Sequence, residues 1–234
     1  MNNLLLQVKI KQRLNKIASN DYDNIESWQI VESFNKTQLE WVRDQIGGSN
    51  IRRESGEQSK RRIDDLQILL KRIPLSGTNK LLFFESVPLP EDYLSFMRVS
   101  ARGAHEECDG DRKFRIDLAE EGNAEDYLRD ADTRPSWEWG ETFCTLLGNK
   151  IKIYTDHQFQ ITQAELTYYR FPRNVLFEGV TNPFTGTMSA ADVTCEFKDD
   201  VAELLIDLTA AQLAGDIESF NQFTRNKQNA DGHN

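Results

Sequence analysis

A chain of 234 residues, 38% hydrophobic and 28% charged, can bury one sizeable core or two small ones. Its net charge of −10 is uneven: residues 1–80 carry 14 basic and 10 acidic side chains, and the remainder carries 14 and 28. Such an acidic surface repels phosphate and argues against a general coat for nucleic acid, and no apolar run approaches the roughly 18 residues of a membrane-spanning helix.

The first 75 residues read as three helices. In the first, Leu6, Ile10, Leu14 and Ile17 fall on one helical face, with Lys9, Lys11, Arg13 and Lys16 on the others. The second runs from Ile25 to Ile46. Trp28, Val31, Leu39, Val42 and Ile46 form its apolar stripe, with Asn35 as the polar exception. Asp23-Asn24-Ile25-Glu26 has the form of a capping box, and Gly47-Gly48 ends the helix. The third begins near Ser55, where Ser55 and Gln58 have capping-box spacing. Ile63, Leu66, Leu70 and Ile73 make its apolar face, and Pro74 closes it.

Ser76-Gly77-Thr78-Asn79 reads as a linker, after which the period changes. Residues 80–87, 94–101 and 113–118 are short β-leaning runs between turn signals. Residues 120–134 are acidic and polar and read as a long loop with a helical turn. Trp137 and Trp139 alternate and are expected on one face of a strand, and Gly148-Asn149 marks a hairpin turn. Ile151, Ile153, Phe159, Ile161, Leu166, Tyr168 and Tyr169 belong to the strands that follow. Residues 172–183 read as irregular, with an extended stretch at 175–177. Helical periodicity returns with Val201, Leu204, Leu205 and Leu208 behind Asp199 and Asp200, which suit a helix start.

One amphipathic C-terminal helix cannot bury its stripe alone, so it is expected to return to the N-terminal helices. The expected fold class is α+β: a helical bundle of residues 1–77 and 196–226, with a β-rich domain of residues 78–195 inserted into it and a disordered tail at 227–234.

Signatures of chemistry are sparse. Cys108, Cys144 and Cys195 are distant and odd in number, which suits a reducing compartment and forms no CxxC metal knuckle. The N-terminal run MNNLLLQVKIKQRLNKIA spaces its apolar residues with charges, unlike a signal peptide, so an intracellular origin is expected. His105-Glu106-Glu107-Cys108-Asp109 is the densest set of metal-ligand types, but neighbouring residues rarely converge on one ion, and a solvated loop is the better reading. The carboxylate pairs Asp64-Asp65 and Asp199-Asp200 lie on expected helices, where adjacent side chains point apart. His105, His157 and His233 sit in no recognisable nucleophile setting. No catalytic, cofactor-binding or metal residue is therefore assigned, and no cofactor is expected. Arg52, Arg53, Lys60, Arg61 and Arg62 form one basic cluster, an exposed helix start or a contact to an acidic partner or DNA phosphate.

Several stretches together resemble structural ring proteins of crAss-like phages and, more distantly, the tail tubular protein A type of adaptor in short-tailed phages. They are NDYDNIESWQIVESFNKTQLEWVRDQIGG with EQSKRRIDDLQILLK, LPEDYLSFMRVSARG, PSWEWGETFCTLLGNKIKIYTDHQFQITQAELTYYRFPR, and CEFKDDVAELLIDLTAAQLAGDIESFNQ. The likeness spans roughly residues 2–225 and consists of packing patterns rather than catalytic signatures. It implies a non-enzymatic virion protein: a helical bundle with a β-domain, repeated as a homo-oligomeric, dodecameric ring at the head–tail junction. It further implies contacts with a portal protein or adjacent tail rings, assembly in the host cytoplasm, DNA passing through the lumen without specific binding, and no membrane. The competing expectation is a helical adaptor module that binds one protein partner outside any ring. A hydrolase or nuclease using scattered carboxylates is the third and weakest reading.

Overall fold

The computed structural model describes residues 1–15, 25–47, 63–105, 107–108, 110–216 and 228. In chain order the elements are α1 (Asn3–Asn15), α2 (Ser27–Gly47), β1 (Leu70–Pro74), β2 (Gly77–Asn79), β3 (Phe83–Ser86), β4 (Tyr93–Ala104), β5 (Arg112–Leu118), α3 (Ala124–Arg129), β6 (Glu141–Leu147), β7 (Lys150–Tyr154), β8 (Gln160–Arg170) and α4 (Asp199–Asp216). The chain divides into two compact units, Met1–Ile68 with Pro172–Asn234, and Leu69–Phe171.

The expected fold class needs correction. The chain is mainly a curled, mixed eight-strand sheet with a few short helices and a C-terminal helix, not a helical bundle with an inserted β-rich domain. One physical reason lies at the third expected helix. Residues 63–66 are helical, but Gln67–Leu69 tighten into a 3-10 turn and Leu70–Pro74 becomes β1. There the backbone pairs with β8 in the register Leu70↔Tyr169 to Pro74↔Glu165, so a long-range ladder overrides the local helical period. The expected linker 76–79 is likewise partly strand, with Gly77 opposite Ser86.

Strand order is β1-β8-β4-β5-β6-β7-β3-β2, and every neighbour pair is antiparallel except β5–β6. β1 and β2, at opposite ends of this order, are separated by only Leu75 and Ser76, so the sheet has to curl. The Asn79 side chain links the two ends: its amide donates to the Ile161 carbonyl at 2.9 Å and its oxygen accepts from the Ile161 N–H at 3.0 Å. At Gly77, an added Cβ would lie 2.3 Å from the Glu85 carbonyl oxygen, so only glycine lets β2 approach β3 this closely.

Alternation along the strands separates two apolar faces. The larger core gathers Phe84, Val99, Phe114, Cys144, Ile151, Ile153, Phe159, Ile161, Leu166 and Tyr168. A smaller cluster of Ala119, Ala124, Phe143 and Tyr154 is covered by Tyr127 and Leu128 of α3. Beside α3, Glu121 accepts from Lys152 at 2.6 Å and from the Thr145 hydroxyl. Burial pushes its carboxyl up, but these partners together hold it below the usual range. The β6–β7 hairpin turns at Gly148 and Asn149, both left-handed with φ of 57° and 62°, as a two-residue type I′ turn requires. Near the other edge, the Tyr168 hydroxyl donates to Asp92 at 2.7 Å, and Lys71 donates to the same carboxylate at 2.7 Å. The Lys71 hydrogen bond chiefly holds the Asp92 carboxyl low.

In the other unit, α4 packs against α1 and α2. Leu6, Ile10 and Leu14 are the buried stripe of α1; Ile17 lies outside the described residues. The stripe expected on α2 is displaced. Ile30, Phe34, Gln38, Trp41 and Val42 are buried, whereas Trp28, Val31, Leu39 and Ile46 are half-buried. Glu26 begins the helix: its carbonyl accepts from the Ile30 N–H, and the Gln29 side chain returns to the Glu26 N–H at 2.9 Å. Asp23 and Asn24 of the expected capping box lie outside the described residues. α4 is buried nearly all round, with Val201, Ala202, Leu205, Ile206, Thr209, Ala210 and Ala214 inside, while Leu208 is only half-buried. Arg13 of α1 meets Glu203 at 2.8 Å and also the buried Asp207, and Lys9 joins Glu203. A buried carboxylate on α4 is thereby paired.

Candidate assembly surface

β5 and β6 run parallel and start at the same end of the sheet, and β4 and β7, antiparallel to them, finish there. The turns before β5, β6 and β8 therefore collect at one tip. The chain enters β1 and leaves β8 at the opposite end, since Leu70 pairs with Tyr169.

At this tip, Trp137 and Trp139 do not share a strand face as expected. Residues 136–140 form a tight turn closed by a bridge between Ser136 and Glu141. The Gly140 N–H donates to the Ser136 carbonyl at 3.0 Å, and Gly140 has φ of +66°. Because residues 137–140 are a turn rather than a strand, side-chain alternation does not apply and the two indoles separate. Trp137 roots the turn, with its ring 5.5 Å from His105 and 5.7 Å from Phe114 of the core. Trp139 stands 78% exposed. Further bonds hold the turn: the Gln158 side chain accepts from the Trp137 N–H at 3.2 Å, and the Gly140 carbonyl accepts from the Arg115 backbone N–H at 2.8 Å. A Cβ at Gly140 would lie 3.0 Å from Nε of Arg112, so the Arg112 side chain lies directly against the turn.

These groups border an open recess of about 810 Å³ whose lining includes His105, Arg112, Arg134, Trp137, Trp139 and Gln158, with Glu107 and Glu138 also on its wall. Neither guanidinium, of Arg112 or Arg134, has an ion pair among the described residues. Two guanidinia with no ion pair among the described residues, beside an exposed indole, make a surface suited to a polar partner with carboxylates and an apolar contact.

In the helical unit, side-chain amides anchor an extended strip. Asn35 donates to the Val175 carbonyl at 3.0 Å and accepts from its N–H at 2.7 Å, and Gln38 donates to the Arg173 carbonyl at 3.0 Å. Asn35, the polar exception in the expected stripe, is thus a backbone clamp. Beside it lies a groove lined by Trp28, Val31, Leu176, Phe177, Val180 and Pro183. Phe184 meets Trp28 edge-on at 5.8 Å and is itself 75% exposed. On α1, Leu4, Leu5 and Val8 lie exposed, away from the buried stripe.

The metal-ligand types singled out in the sequence do not converge. Glu106 and Asp109 lie outside the described residues, the Nδ1 of His105 accepts the Glu107 N–H at 3.1 Å, and Cys108 is exposed. Among the described residues no three His, Cys, Asp or Glu side chains are grouped to hold a metal, and no helix is long and apolar enough to cross a membrane. Asp64 and Asp65 both face Lys198, and Asp199 meets the amino group of Met1 at 3.0 Å. The basic cluster Arg52, Arg53, Lys60, Arg61 and Arg62 lies outside the described residues. Trp137 and Trp139 stand out in the sequence, whereas Arg112 and Arg134 sit 22 positions apart, carry no motif and come together only in the fold.

Compared with known proteins, the sequence matches no family model and no curated protein.

Proposed function

We propose that this chain is a non-enzymatic structural protein of a phage virion, a subunit of a ring that joins portal and tail and surrounds the DNA channel. The observation that carries the reading is Trp139, held 78% exposed on a turn fixed by backbone and side-chain bonds. A large indole presented to water from a fixed backbone turn is of the type that anchors protein interfaces. Exposed Phe184 and Leu4 in the helical unit add apolar surface that a solitary chain would leave wet. The acidic balance after residue 80 supports passage of DNA, because a basic wall would bind phosphate and retain it in a salt-dependent way. In this reading the protein acts at the head–tail junction after assembly in the host cytoplasm, as a dodecamer.

The test is cryo-microscopy of purified virions, together with native mass spectrometry of the chain with its neighbouring protein present. A ring of copies between portal and tail is expected. A strictly monomeric chain within an assembled virion overturns the proposal. The groove at Trp28 and Val31 favours a second reading, an adaptor that binds one protein partner, for which the same spectra give a one-to-one complex.

A further inference from the structure

We propose that the tip recess is one half of the contact between neighbouring copies, and that its occupant is the acidic α3 edge of a second copy; this rests on the ring reading above. Trp139 is the apolar anchor, and Arg112 and Arg134 take the carboxylates.

The charges select the occupant. A nucleic-acid strand entering the recess would meet Glu107 and Glu138 on its wall. A continuous phosphate chain carries its charge past both glutamates, whereas a folded protein edge can set discrete carboxylates opposite Arg112 and Arg134, which have no ion pair among the described residues. This chain supplies such an edge, an acidic ridge. On and beside α3, Glu121 is taken by Lys152 and Glu125 by Arg129, but the exposed Glu120 and Asp126 have no ion pair among the described residues. The ridge lies over the face bearing Phe143 and Tyr154, while the recess opens at the strand ends. A donor patch and an acceptor patch on different faces of one unit produce a heterologous contact, the type that closes into a ring. The turn carrying Trp139 is already held in place, so little ordering is lost on contact.

The test uses the full chain, with self-association read by analytical ultracentrifugation and ring formation read by cryo-microscopy of virions. Arg112→Glu with Arg134→Glu, and separately Glu120→Arg with Asp126→Arg, should each weaken assembly about tenfold or more. All four changes in one chain should restore it, because the complementarity is then inverted but intact. Trp139→Ala should weaken assembly while leaving the circular dichroism spectrum unchanged, since the indole packs on no described aromatic ring. Assemblies that survive either reversal, or that the fourfold exchange does not restore, overturn this contact and leave the ring reading standing. A wild-type chain that is monomeric in solution and in virions overturns both.

Discussion

Leu205 and Leu208 lie one turn apart on α4 but differ in burial, and that difference sets a sharp expectation. Leu205 is fully buried between the flanking helices, whereas Leu208 keeps part of its side chain in water. Truncating a close-packed leucine removes transfer free energy and leaves a cavity, together about 2–5 kcal/mol. Leu205→Ala belongs near the top of that range, because Ala202, Ile206 and Thr209 around it are also fully buried and have little freedom to collapse inwards. Leu208→Ala loses less buried area and makes no closed cavity, so about 1–2 kcal/mol is expected. Urea unfolding followed by far-ultraviolet circular dichroism reports chiefly the helices. With a slope of about 1–3 kcal/mol per molar urea, Leu205→Ala should lower the helical midpoint by roughly 1.5–5 M and Leu208→Ala by less than half of that. Equal shifts, or a larger shift for Leu208→Ala, would refute the view that α4 is a central helix rather than one with a single apolar stripe.

Three further outcomes follow from the sheet unit. The Asp92 carboxyl is held low, first by the Lys71 hydrogen bond, so its contribution is present above the unfolded value of about 3.9 and is lost as pH falls through the lower folded value. Asp92→Asn should therefore flatten the stability profile in this acid range, and an unchanged slope in urea titrations taken across it counts against the assignment. Burial, with Asp117 nearby, pushes the Cys144 thiol up to about 12, and burial also raises Cys195, whereas Cys108 is exposed. Alkylation of the native chain with iodoacetamide, mapped by mass spectrometry, should mark Cys108 first and Cys144 only on unfolding. Gly148→Val should cost on the order of 1–2 kcal/mol, because a β-branched residue is forced into left-handed backbone; thermal melts matching those of the unaltered chain would contradict the type I′ geometry.

Features governed by local physics are legible in the residues alone. The α1 stripe of Leu6, Ile10 and Leu14 follows from a helical period over a dozen residues. The Gly148-Asn149 turn follows from two residues that tolerate positive φ, and Ile151, Ile153 and Ile161 fall inside by strand alternation. Other features depend on contacts between distant segments. Leu70 and Ile73 fit a helical face, yet they form a strand because β8 offers a ladder nearly a hundred residues away. The buried face of α2 runs through Ile30, Phe34 and Gln38, where α4 packs on the helix and the strip at 173–175 takes its amide hydrogen bonds, and no window of α2 reveals either partner. The indoles of Trp137 and Trp139 parted because the bridge between Ser136 and Glu141 folds the residues between them into a turn, where strand alternation does not hold. The recess beside them exists only because parallel β5 and β6 begin at the same end, which brings Arg112 beside residues 134–139. Periodicity reports which side of an element is apolar, but the partner that covers it, and hence the surface left over for assembly, is set by contacts far apart in the chain.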